Sequence, residues 1–189
     1  DTTVKLPDTL PHEGYGIFLR GSSFHAGEEV LPAGKRLRSI DLALLAEVGC
    51  GKVEVVPHPR VAVLATGTEL VECGESLAPG QLRNSNSPML VAALREVGAT
   101  PVELGIARDD PGELKSAIET GLEADVLLIT GGVSAGVMDL VPGILTELGV
   151  TKVFHKVRMK PGKPLWYGVR ELAGHRTLVF GLPGNPVST

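Results

Sequence analysis

Arg60-Val61-Ala62-Val63-Leu64-Ala65-Thr66-Gly67-Thr68-Glu69-Leu70 decides the fold. It opens as a nearly continuous apolar run and then breaks at a glycine flanked by hydroxyls. Such a run, bounded by a turn signal, predicts a strand buried on both faces. Asp125-Val126-Leu127-Leu128-Ile129-Thr130 repeats the pattern and runs into Gly131-Gly132. Helix signals fall between the two. Ser87-Pro88 opens a helix to residue 97, with Pro88 at its first position and Gly98 beyond its end. Asp110-Pro111 opens a second, to about residue 121, with Asp110 as N-cap and Glu113 completing a capping box in outline. A strand over 101–107 separates them. A third helix is predicted over 139–148, with Pro142 in its first turn and Gly149 at its end. Further strands are expected over 150–157, 165–169 and 177–180.

This alternation implies an α/β domain over 58–189, a three-layer sandwich in which helices cover both faces of a largely parallel sheet. Ligands of such sheets sit outside the carboxyl ends of the strands. The loops after Ala65, Ala107, Thr130, Val157 and Phe180 are therefore the places to search. At the far end, Asn185-Pro186 reads as a helix start whose helix does not follow, so the domain is expected to lack its C-terminal end.

The stretch 1–57, up to Pro57-His58-Pro59, reads differently. Tyr15-Gly16-Ile17-Phe18-Leu19, Glu29-Val30-Leu31 and residues 52–56 look like short strands. One helix is expected over 39–48, with Ser39 as N-cap, an apolar face of Leu42, Leu44, Leu45 and Val48, and Gly49 as its stop. So few short strands suggest part of a β-rich domain.

Composition narrows the function. Hydrophobic residues make up 43% and aromatics 4%, so the core must be built from Val, Leu, Ile and Ala. No apolar stretch approaches the ~20 residues that span a bilayer, and the N-terminus lacks a signal-peptide pattern. The net charge of −4 does not favour nucleic acid. Cys50 and Cys73 stand in no metal-ligand spacing and read as reduced thiols of a cytoplasmic protein. The five histidines have no metal-ligand spacing either.

The loops carry the chemistry. Thr66-Gly67-Thr68-Glu69 offers hydroxyls to an anion, and Glu69 could hold a metal; a turn with Glu69 capping a helix is the simpler reading. Asn84, Ser85 and Asn86 precede a helix N-terminus that would suit a phosphate, or else they stabilise a turn. Asp110 is the cap, which leaves Asp109 without a structural role, for metal binding, proton handling or mere solvation. Gly131, Gly132 and Gly136, with Val133 and Ser134 between, could turn backbone N–H groups toward a phosphate. They form neither a Walker A loop nor the dinucleotide fingerprint. Lys160-Pro161-Gly162-Lys163-Pro164 is the sharpest feature: a stiff loop with two ammonium groups suits a small oxyanion. Pro183, Gly184 and Asn185 repeat that logic at the next strand end.

In order, Thr66-Gly-Thr-Glu-Leu70, Pro79-Gly-Gln-Leu-Arg-Asn-Ser-Asn86, Gly131-Gly-Val-Ser-Ala-Gly136 with Asp139, Met159-Lys-Pro-Gly-Lys-Pro164 and Gly181-Leu-Pro-Gly-Asn-Pro-Val-Ser188 resemble the molybdopterin molybdenumtransferase family, which includes MoeA-type enzymes and the E domains of gephyrin-like proteins. The resemblance implies a MogA-like fold, preceded by part of that family's β-rich domain. It implies that molybdate is inserted into adenylylated molybdopterin with release of AMP, supported by Mg2+. Glu69, Asp109 and Asp139 match family acids in catalysis or metal binding. Lys160, Lys163 and Pro164 match molybdate positions, with Ser188 beside them, and the first loops would cradle the phosphates. A homodimer is implied for the full-length protein. One departure is Gly21-Ser22-Ser23, where the family carries Gly-Glu-Asp, so Ser23 replaces an acid. The alternatives are a non-catalytic molybdopterin-binding or scaffold protein, or a MogA- or CinA-type enzyme on the same fold.

Overall fold

The computed structural model describes residues 3, 12–132 and 140–189. The chain forms two compact units, 1–55 and 56–189.

In the first unit the helix is present as α1 (Ser39–Glu47), capped one residue earlier than expected, at Arg38. Its best-anchored residue is an acid. Asp41 is 3% exposed and accepts from Lys35 Nζ at 2.7 Å, Arg38 Nε at 3.1 Å and Arg38 N at 2.9 Å. The Arg38 guanidinium first, and then the Lys35 ammonium, hold its carboxyl well below the usual carboxylate range. The expected apolar face is not buried: Leu42 and Val48 are exposed. Nor do the expected strands form. No strand occurs among the described residues before Arg60. Residues 12–19 make successive turns, Tyr15 N to His12 O and Ile17 N to Gly14 O, with Gly14 and Gly16 at positive φ. A strand needs a neighbouring strand for its N–H and C=O groups, and turns satisfy them here instead.

The second unit holds β1 (Arg60–Thr66), β2 (Leu70–Val71), β3 (Leu82–Arg83), α2 (Asn86–Glu96), β4 (Thr100–Ala107), α3 (Pro111–Gly121), β5 (Val126–Thr130), α4 (Val141–Glu147), β6 (Thr151–His155), β7 (Trp166–Leu172) and β8 (His175–Leu182). The main sheet has the order β4-β1-β5-β8-β7-β6. The first four strands are mutually parallel; β7 is antiparallel to both its neighbours. The sheet is thus mixed but mostly parallel. The β7–β8 hairpin turns on Ala173-Gly174, both at positive φ, the conformation that matches the twist of paired strands. The small parallel pair β2–β3 stands where the sequence suggests plain loop.

β1 is buried from Val61 to Thr66, as its apolar run dictates. Ala62 and Leu64 join Leu127 and Ile129 of β5, Val179 of β8, Leu114 and Ile118 of α3 and Val141, Ile144 and Leu145 of α4 in one core. Burying each large aliphatic side chain is worth about 1.5–3 kcal/mol. α2 packs on β1 and β4. Gly121 lets α3 approach the sheet, since a Cβ there would fall 2.6 Å from Leu127 Cδ1.

The caps refine the expected helix starts. Asp110 Oδ1 accepts from Gly112 N and Glu113 N, as expected. Glu113 reaches back to Arg108 N rather than to the cap itself. α2 begins at Asn86, so Pro88 is its third residue, not its first. α4 begins at Val141, with Pro142 in its first turn.

Candidate functional site

β1 leads through α2 to β4 on one side of it, and β4 leads through α3 to β5 on the other. The strand order therefore reverses at the carboxyl ends of β1 and β5. That reversal is where α/β sheets open a crevice. A cavity of about 890 Å3 opens there.

The loop after β1 supplies Thr66, Gly67 and Glu69 to the cavity. Thr66 is buried and its Oγ1 donates to Thr130 O at 3.2 Å, which fastens β1 to β5 at the floor. The loop after β4 supplies Asp109. Asp109 does have a structural role. Its Oδ2 accepts from Thr68 N and Thr68 Oγ1, each at 3.1 Å, binding the two loops together. From the loop after β5 come Gly131 and Gly132, at φ 84° and 60°. A Cβ on Gly131 would fall 2.5 Å from Thr66 O, and one on Gly132 2.8 Å from Thr66 Oγ1. Only glycine permits this approach. Val133, Ser134, Gly136 and Asp139 lie outside the described residues.

Asn84, Ser85 and Asn86 line the cavity from the start of α2. Asn84 is 3% exposed and fully engaged in the fold. Its Oδ1 accepts from Ser87 N, its Nδ2 donates to Ser87 Oγ, its N to Val71 O, and its carbonyl accepts from Cys73 Sγ. Asn86 Nδ2 donates to Gly184 O at 3.0 Å, joining α2 to the loop after β8.

Gly184 and Asn185 close the cavity from that loop. Asn185 organises a turn, accepting from Val187 N on Oδ1 and from Ser188 N and Thr189 N on its carbonyl. A second pocket of about 240 Å3 adjoins, sharing Gly131, Gly132, Gly184 and Asn185 with the cavity and adding Pro164, Pro183 and Ser188. The structure therefore brings Pro164 and Ser188 together. Lys160 and Lys163 are exposed and line neither space.

Sequence reasoning missed the walls. Leu70, Leu82 and Leu140 add apolar side chains to the lining, and Arg83 of β3 adds a cation. Arg83 stands inside the Pro79–Asn86 motif, but only the β2–β3 pairing turns it toward the cavity. Among the described residues no three His, Cys, Asp or Glu side chains cluster as metal ligands, and no helix is long and apolar enough to cross a membrane.

Doubly wound strand order with a glycine-lined cavity at the reversal point defines the class, an α/β domain with a mostly parallel sheet. A family model described as "Probable molybdopterin binding domain" matches residues 62–189, and the chain belongs to that family of molybdenum cofactor biosynthesis. It is 38% identical to the molybdopterin molybdenumtransferase of Nostoc sp. over 95% of this chain and 41% of the relative. It is 36% identical to that of Synechococcus elongatus over 100% of this chain and 50% of the relative. The crystal structure of the molybdopterin biosynthesis MoeA protein from Pyrococcus horikosii matches with a TM-score of 0.68 at 40% identity, covering 84% of this chain and 38% of that one. The chain spans about half, or less, of the length of these relatives.

Proposed function

We propose that the chain is the pterin-nucleotide-binding part of a cytoplasmic molybdopterin molybdenumtransferase, acting as a homodimer in the full-length protein and on neither nucleic acid nor membranes. In this reading the larger cavity holds adenylylated molybdopterin and the smaller pocket takes molybdate. The observation that carries it is the pair of adjoining pockets with shared glycine walls. The cavity of about 890 Å3 has the size of a cofactor site, and the 240 Å3 pocket beside it suits a small oxyanion. Lys160 and Lys163 sit on the loop that enters the smaller pocket through Pro164 and draw the dianion toward it. The backbone of Gly131 and Gly132 and the Arg83 guanidinium face the phosphates. Water attacks the phosphoanhydride, so AMP leaves and the pterin keeps its own phosphate; molybdate then binds the two dithiolene sulfurs and gives up one oxygen as water, which carries off the two thiol protons.

Glu69 and Asp109 both line the cavity, and two carboxylates that leave room for substrate phosphates are a donor set Mg2+ accepts. These two residues would hold that ion, which supplies positive charge to the phosphate oxygens; Asp139 is the third acid of this reading. Residues 1–57 correspond to part of the family's β-rich domain. The 58–189 unit is a three-layer sandwich, because right-handed crossovers in opposite directions put α2 on one face and α3 with α4 on the other.

The test is AMP release by the protein given adenylylated molybdopterin and molybdate. A Lys160→Ala/Lys163→Ala variant should lose its molybdate dependence. Binding of the nucleotide without release would instead support a non-catalytic binding protein, the reading favoured by Ser23, an exposed residue where the family carries an acid.

A further inference from the structure

Gly67 N donates to Ala107 O at 3.1 Å, which carries the β1–β4 ladder one residue past the end of β1. Beyond that point side chains continue it. Thr68 Oγ1 donates to Asp109 Oδ2 at 3.1 Å and accepts from Asp109 N at 3.2 Å, and Thr68 N donates to the same Oδ2 at 3.1 Å. One hydroxyl therefore grips both the main chain and the carboxylate of Asp109. The neighbours of Asp109 are fixed as well. Arg108 N donates to Glu113 Oε1 at 3.0 Å, and Asp110 caps α3.

Thr68 and Asp109 are both exposed. Water competes for such groups, so bonds between them add little to stability. What they do supply is orientation. Asp109 lines the cavity and Thr68 does not, so Thr68 can reach a ligand there only through Asp109. Both donors sit on Oδ2, and Oδ1 accepts from no donor among the described residues. Glu69, the other acid of the lining, has no such clasp. Its carboxylate lies against Gly67, where a Cβ would fall 2.7 Å from Oε2.

We infer that Thr68 is a positioning residue: its hydroxyl holds Asp109 by Oδ2 and leaves Oδ1 as the oxygen that Asp109 offers to a divalent cation. The inference rests on the reading of Asp109 as a holder of Mg2+. A carboxylate locked beforehand gives up less freedom on binding than one that the ion must order. Partners of this kind, which orient a ligating group without touching the metal, typically set its affinity by 10–100-fold. The two acids thus differ in kind, Asp109 being held in advance and Glu69 adapting to what binds.

Mn2+ tests this as a probe for Mg2+, its free form being counted by electron paramagnetic resonance in the presence of AMP. Thr68→Val should raise the Mn2+ dissociation constant roughly tenfold, and Thr68→Ala should match it. Thr68→Ser restores the hydroxyl and should restore the affinity. In an Asp109→Ala background Thr68→Val should change nothing further, because the hydroxyl acts only through that carboxylate. A clasp that merely staples the loops would lower the melting temperature and leave the dissociation constant unchanged, which overturns the inference. A wild type that takes up no Mn2+, a Thr68→Ser variant that binds no better than Thr68→Val, or a loss that persists without Asp109 overturns it too. The two readings fail separately. Mn2+ affinity that depends on Thr68 without AMP release leaves Thr68 in its role and removes the transferase; AMP release with an affinity indifferent to Thr68 does the reverse.

Discussion

The two units of this chain are both supplied with aliphatic residues, yet they use them in opposite ways. In 56–189, Leu64, Leu127 and Ile129 are fully buried in a single core. In 1–55, Phe18 is 90% exposed and Leu42 54% exposed, and the residue most removed from solvent on α1 is Asp41. The difference lies in backbone partners. β1 has a neighbour on each side, so its side chains can be stacked under helices. Residues 12–19 close onto themselves in turns and offer no surface to pack. Apolar composition alone does not make a core; a paired backbone has to present it.

The largest expected effect is in the second unit. Leu64→Ala leaves a cavity between β1 and the helices and should lower unfolding free energy by about 2–5 kcal/mol, measured by urea denaturation. A cost below about 1 kcal/mol would mean the core is looser than its burial suggests. Gly131→Ala comes next. It forces a side chain onto a left-handed backbone and against Thr66 O, which should cost about 1–3 kcal/mol. If the proposed function holds, it should also weaken nucleotide binding, because the wall shared by both pockets must shift. Asp110→Ala removes the acceptor for Gly112 N and Glu113 N and should cost about 0.5–2 kcal/mol.

The first unit supplies the opposite arm. Asp41 titrates below its unfolded value because Arg38 and Lys35 hold it charged. A depressed carboxylate contributes its full stabilisation above the unfolded pKa, near 3.9 for Asp, and loses it as pH falls toward the folded one. Melting of α1, followed by circular dichroism, should therefore be pH-independent above about pH 5 and fall off in acid. Asp41→Asn should abolish that acid limb. Least affected is Leu42→Ala, expected within about 0.5 kcal/mol because the side chain is already in water. A large loss there would show that the exposed face of α1 is covered in solution.

What the sequence could disclose follows the same division. β1, β5 and the Asp110 cap are legible because each is dictated by neighbours within a few residues. The carboxyl-edge loops follow from them, since parallel strands put their ends on one side. The direction of β7 is not legible: it depends on Ala173, a non-glycine residue that adopts φ 50°. The strands expected before Arg60 do not form for the reason already given, because apolar spacing says nothing about partners. In the site, the glycines that approach Thr66 read as turn-makers, and the structure adds what they avoid. The Thr68–Asp109 and Asn86–Gly184 bonds are invisible in the sequence, because both depend on segments far apart in the chain meeting at one edge.

The strand order has a mechanical consequence. β1 and β8 run in the same direction on either side of β5. The chain therefore enters the sheet at the amino end of β1 and leaves it at the carboxyl end of β8. Tension applied between Arg60 and Leu182 pulls these strands past one another, loading the ladder bonds of β5 on both sides in shear. The bonds must yield together rather than unzip singly. Peeling is confined to the rim strands β4 and β6, which the pulled points do not touch. The same backbone register that places the two pockets side by side makes the central strands resistant to stretching.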